Sequence, residues 1–203
     1  MSAMTTFINV PGIGGSGPEH WQSVWEALNP EILRFRPRSW DHPALLDWVE
    51  SLEAAVVAAP ARPVLIAHSL GCLLVAHWQT WSRQPVAGAF LVAPPDPEAR
   101  SFPADAPTFR RPVPGPLRFP SMVVVATNDP YSSPTFIQDV AAKWRADVVL
   151  TGPDGHLNVA SDIGAWSEGQ ELLERFLRTL DERARSVADR RAARASLAGG
   201  GGG

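Results

Sequence analysis

Three short runs of almost uninterrupted apolar residues, at 63–68, 86–92 and 122–127, leave this chain few architectures to choose from. A strand that alternates apolar with polar side chains can rest one face on water, whereas a strand apolar throughout needs cover on both faces. Such strands belong inside a parallel sheet packed between helices. Segments with helical spacing supply that cover: Trp21, Val24, Trp25 and Leu28, then Leu45, Leu46, Trp48, Val49, Leu52, Ala55 and Val56, then residues 69–81 and 133–144. Leu172, Leu173, Phe176, Leu177 and Leu180 mark a final amphipathic helix over 166–180. Shorter apolar runs at 5–10, 32–35 and 147–150 complete the strands. Strands alternating with helical segments imply βαβ units, because parallel neighbours need a crossover. The expected class is therefore α/β, a mostly parallel central sheet with helices on both faces.

A chain of 203 residues buries roughly 70% of its unfolded surface when it folds, enough for one well-filled core. That core is expected in a domain spanning residues 1–180. Residues 181–203, rich in Ala and Arg and ending in a glycine run, are expected to fray or be disordered. No apolar run is long enough to span a bilayer, and a net charge of −3 offers no general attraction for phosphate backbones. Membrane insertion and nucleic-acid binding are not expected. A lone cysteine, Cys72, and the absence of a basic and apolar leader at residues 1–4 point to a reducing cytoplasm. Residues 94–120 hold nine prolines, too many for a helix or an inner strand. So long a loop is expected to cover the active edge of the sheet.

Chemistry concentrates where the run at 64–67 meets His68, Ser69, Leu70 and Gly71 and then a helix. Strand, sharp turn and helix form the setting of a nucleophile elbow, whose small flanking residues, here Ala67 and Gly71, let the turn close. The serine hydroxyl then stands at a helix N-terminus, where aligned amides favour developing negative charge. A serine needs a base to take its proton. His156 follows the strand at 147–150, and Asp129 follows the strand at 122–127 and is suited to orient the imidazole. Serine, acid and histidine in that chain order, each past its own strand, reproduce the α/β-hydrolase arrangement. Two backbone amides are expected to hold the oxyanion: Leu70, next to the nucleophile, and Ile13, on the loop after the first strand, with Gly12 allowing close approach.

The segments V10-P-G-I-G-G-S-G-P-E-H-W21, I66-A-H-S-L-G71, N128-D-P-Y131 and G155-H-L-N158 resemble the small serine-hydrolase family that includes retinoblastoma-binding protein 9 and the bacterial YdeN-like proteins. The resemblance runs from about residue 6 to residue 180. It implies a compact α/β-hydrolase without a large lid domain, a triad of Ser69, Asp129 and His156, and hydrolysis of small esters or amides. Ala67 stands where many relatives carry glycine.

Two other functions compete. Gly12, Gly14 and Gly17 fit G-x-G-x-x-G after a first strand, and Arg34, Arg36 and Arg38 would suit the 2′-phosphate of NADP. Pro18, directly after the third glycine, counts against it, and the three triad residues go unexplained. A binding protein that keeps the fold without catalysis is the other rival. Cys72 is expected to pack in the core, and Asp154 is a less suitable orienter than Asp129. His42 and His77 lack partners at ligand spacing, so neither metal nor cofactor is expected. The eight tryptophans read mainly as core. Gly12, His20, His68 and Phe109 are the candidate substrate contacts, with Phe102, Arg110 and Arg111 as further specificity candidates. The expected partner is a small-molecule ester or amide, met by a monomer or small homo-oligomer.

Overall fold

A computed structural model describes residues 5–199. The chain forms two compact units that divide after Trp166. The first is built on six strands: β1 (Phe7–Val10), β2 (Ile32–Arg34), β3 (Val64–His68), β4 (Gly88–Val92), β5 (Ser121–Ala126) and β6 (Asp147–Thr151). Four helices accompany them: α1 (Trp21–Leu28), α2 (Leu45–Ala58), α3 (Leu70–Trp81) and α4 (Pro134–Trp144). The strands lie in the order β2-β1-β3-β4-β5-β6, and every neighbouring pair is parallel. Burial follows position in the sheet. The inner strands β3, β4 and β5 are buried at every residue, whereas the edge strands β2 and β6 alternate or are exposed.

Alternation along the strands sorts the helices to the two faces. Ile8, Val10, Leu65 and Ala67 point into a core that includes Trp48, Leu52, Leu73, Val75 and Trp78 from α2 and α3. Asn9 points the other way, its amide donating to the Gln22 carbonyl oxygen and to Glu26 on α1. Gln22 in turn donates to the Ile66 carbonyl oxygen at 2.9 Å. Right-handed crossovers require this split, because β1 steps outward to β2 while β2 steps back past β1 to β3. At that reversal the loops after β1 and β3 leave the sheet towards opposite faces and open a crevice at the strands' carboxyl ends.

The proline-rich segment between β4 and β5 takes the place of a crossover helix. Phe102, Ala106, Phe109, Val113 and Leu117 from it are buried in the core, and Phe109 meets Trp48 edge-on at 5.5 Å. Its carbonyl groups, which no regular element pairs, accept from Arg110, Gln79 and Trp144 side chains. The expected cover is thus chiefly core filling; of this segment, Pro103 lines the Ser69 cavity. Helix α1 starts at Trp21, with His20 as its N-cap.

The second unit holds α5 (Ser167–Gly199). Leu172, Leu173 and Phe176 are buried in its first turns, and residues 181–190 are largely exposed. The helix continues to Gly199, within the stretch expected to fray, in keeping with the high helix propensity of Ala and Arg. Residues 200–203, the rest of the glycine run, and residues 1–4 lie outside the described residues. Among the described residues no helix is long and apolar enough to cross a membrane.

Candidate active site

Ser69 sits between β3 and α3 with φ 54° and ψ −124°, a conformation that costs a non-glycine residue about 1–3 kcal/mol. Its surroundings hold it there. A Cβ on Gly71 would lie 2.0 Å from the Val10 carbonyl oxygen, and one on Gly12 would lie 2.8 Å from the Cβ of Ser69. Gly71 is thus closed in by the backbone after β1, and Gly12 by the Ser69 side chain and the backbone on either side of it, so neither position has room for a side chain. Ala67, the small residue on the other flank of the turn, is fully buried.

The structure brings the three residues singled out from the sequence together at the carboxyl edge of the sheet. The Ser69 hydroxyl lies 2.8 Å from His156 Nε2. His156 Nδ1 lies 3.0 Å from each carboxylate oxygen of Asp129, so the ring donates there and accepts from the serine on its other side. Asp129 Oδ1 also accepts the Tyr131 amide at 2.8 Å. All three residues are buried. Asp154, the weaker alternative, does not share this contact; its backbone oxygen accepts from the Leu157 amide.

Distant groups pin the His156 loop. Asn128 accepts the Gly155 amide at 2.7 Å, and the Trp21 indole donates to the Leu157 carbonyl oxygen at 2.9 Å. His68 Nε2 donates to the carbonyl oxygen of His156 itself at 2.9 Å. That bond fixes the His68 proton on Nε2, and burial pushes its pKa well below the ordinary histidine value, so the ring is neutral. His68 and Trp21 thus act on the backbone that carries the imidazole, a role their sequence neighbours could not reveal.

Ile13 opens a short turn over Ile13–Gly15, and Leu70 is the first residue of α3. Neither amide donates to any of the described residues, and a Cβ on Gly12 would stand 3.3 Å from the Leu70 nitrogen, which brings the two loops side by side. A cavity of about 520 Å³ opens above Ser69, lined by Ile13, Ser16, His20, His68, Tyr131 and Val159 among others. Its size suits a small organic ligand. Phe109, a candidate substrate contact, is fully buried in the core instead, because the proline-rich segment turns its apolar side chains inward. Arg110 is turned to the carbonyls of its own segment and lies over the Phe102 ring at 5.1 Å. Tyr131, whose ring centroid lies 4.5 Å from that of His156, is a cavity residue that turn chemistry alone concealed.

The glycine loop serves this same cavity through Gly14, Ser16 and Gly17. Arg34, needed by the dinucleotide reading, is tied to Glu26, Ser23 and the Gly15 carbonyl. Cys72 is buried, and burial raises its thiol pKa well above the usual range, which makes it a packing residue rather than a nucleophile. No cluster among the described residues has the donors to hold a metal ion.

A parallel sheet with this strand order, carrying a serine at a strand-to-helix elbow within reach of a histidine, defines an α/β-hydrolase. The chain belongs to the serine hydrolase family, whose model matches residues 7–175. A protein from Pectobacterium atrosepticum described as a YdeN-like hydrolase is 32% identical over 87% of this chain and 92% of its own, with a TM-score of 0.76. The ydeN gene product of Bacillus subtilis is 16% identical, covering 86% of this chain and 100% of its own at a TM-score of 0.70. A thermophilic esterase from Thermogutta terrifontis shares the fold at 16% identity, 88% and 91% coverage and a TM-score of 0.64. No curated protein matches the chain significantly.

Proposed function

We propose that this serine hydrolase cleaves small carboxylic esters or amides through an acyl-enzyme, with Ser69, His156 and Asp129 as its triad and residues 1–180 as its catalytic domain. The observation that carries the reading is the unbroken hydrogen-bonded path from the Ser69 hydroxyl through the His156 ring to Asp129. Ser69 Oγ attacks the substrate carbonyl carbon while His156 Nε2 takes the hydroxyl proton. The carbonyl electrons move to oxygen, where the Ile13 and Leu70 amides receive the charge. Collapse of the tetrahedral intermediate breaks the bond to the alcohol or amine, which leaves with the proton that His156 returns. Water then repeats the sequence on the acyl-enzyme and releases the acid. Asp129 keeps the ring in the tautomer that accepts from serine and stabilises the imidazolium.

A cytoplasmic location accords with the buried, unpaired thiol of Cys72. The test is turnover of p-nitrophenyl acetate and labelling by a fluorophosphonate. Ser69→Ala and His156→Ala are each expected to lose on the order of 10⁴-fold or more in kcat, as when a triad acts as a unit. Ser69→Ala is also expected to take no label. Retention of activity by either variant contradicts the assignment.

A further inference from the structure

The cavity above Ser69 is lined by a buried imidazole that the proposed reaction leaves unused. His20 is 5% exposed and caps α1 by accepting the Gln22 amide on Nδ1 at 3.2 Å. A ring nitrogen that accepts carries no proton, so the proton of the neutral ring is on Nε2. That nitrogen has no hydrogen-bond partner among the described residues although it is buried. Burial, the Arg34 guanidinium and His156 lower the pKa of the ring to about 4, which keeps it in this one neutral form through the neutral range. Its position is fixed as well: it stands edge-on to His68 at 4.7 Å and against Trp21 at 5.3 Å. Capping uses only Nδ1, and asparagine would cap as well, so the cap alone does not call for a second ring nitrogen. Among the described residues that line the cavity none is Asp, Glu, Lys or Arg, which leaves a charged substituent there without a counter-ion.

We infer that His20 Nε2–H donates a hydrogen bond to an uncharged oxygen of the substrate other than the scissile carbonyl. His20 is then a specificity-determining residue that favours neutral esters bearing an ether, hydroxyl or keto oxygen over hydrocarbon esters of equal length. This rests on the reading of Ser69 as the nucleophile that faces the same cavity.

Two isosteric pairs test it: p-nitrophenyl pentanoate against p-nitrophenyl β-methoxypropanoate, and butyl acetate against methoxyethyl acetate. Rates are divided by those of hydroxide to remove intrinsic reactivity. The wild-type protein is expected to prefer the ether ester of at least one pair by roughly tenfold in kcat/KM, the scale of one neutral hydrogen bond. His20→Asn keeps an acceptor for the Gln22 amide but places no donor at the Nε2 position, and should bring that ratio to about one; His20→Gln, with a nitrogen there, should restore part of it. A wild-type ratio near one for both pairs, or a preference that survives His20→Asn, overturns the inference. Nuclear magnetic resonance of isotope-labelled histidine in Ser69→Ala gives a reading that needs no turnover. The Nε2 proton should move downfield with one of the ether esters and with neither alkyl ester, and either no such shift or a proton found on Nδ1 overturns the inference. If wild-type protein hydrolyses none of the esters, the Ser69 assignment fails while the resonance experiment still decides the role of His20.

Discussion

Asp129 shows how narrow the chemistry is at the scale of one side chain. Its carboxylate accepts both from the His156 ring and from the Tyr131 amide, so both partners present protons to it. Asparagine fills the same space but offers an NH₂ that must face one of those donors or force the imidazole into its other tautomer. Asp129→Asn should therefore lower kcat on p-nitrophenyl acetate by about 10⁴-fold with little change in thermal midpoint. A loss smaller than tenfold in stopped-flow or steady-state assays would remove Asp129 from the mechanism. Residues such as Ser69 and His156 could be singled out from sequence because each follows an apolar run that fixes its place at a strand end. His68 bonded to a carbonyl 88 residues away leaves no such trace, because nothing in local periodicity records which distant backbone will pass by.

At the scale of elements, the strands were readable because a parallel sheet covered on both faces writes itself as unbroken apolar runs. The segment 94–120 was not readable in that way. Proline forbids helix and inner strand but says nothing of where the intervening side chains point, and Phe102, Phe109, Val113 and Leu117 have no regular period to reveal an inward face. Truncation tests the structural finding directly. Phe109→Ala should lower stability by about 3–5 kcal/mol, as for other fully buried aromatic rings, with the urea midpoint as readout. Because the ring meets Trp48 rather than the cavity, the ranking of ester chain lengths should stay as in the wild-type protein. A shift in that ranking without loss of stability would return Phe109 to the substrate site. The length of α5 was also hidden: a fraying tail and a helix of alanine and arginine share one composition, and propensity favours the helix.

The whole molecule carries a pH dependence that follows from its buried imidazoles. The ordinary histidine pKa of about 6.5 applies to the unfolded chain, whereas His20 in the folded chain is near 4. Between those values the unfolded chain holds a proton that the folded chain lacks, so acidification through this window favours unfolding. His68, likewise lowered, acts in the same direction. The urea midpoint should fall between about pH 7 and pH 5, a range mostly above the carboxylate titrations. In His20→Gln the fall should be shallower. A midpoint that is flat or rises over that range would mean that these rings are charged in the folded protein.

The cavity walls are drawn from the turns after β1, β3, β5 and β6 together with Pro103, while the apolar interior belongs to the strands, α2, α3 and the inward side chains of the proline-rich segment. Turns at the surface tolerate exchange far better than packed interiors do. Replacement of the exposed Val159 or Ala160 thus alters which molecules are admitted without disturbing the packing beneath. Descendants of this chain can drift from one diet to another while inheriting the same tolerance of heat.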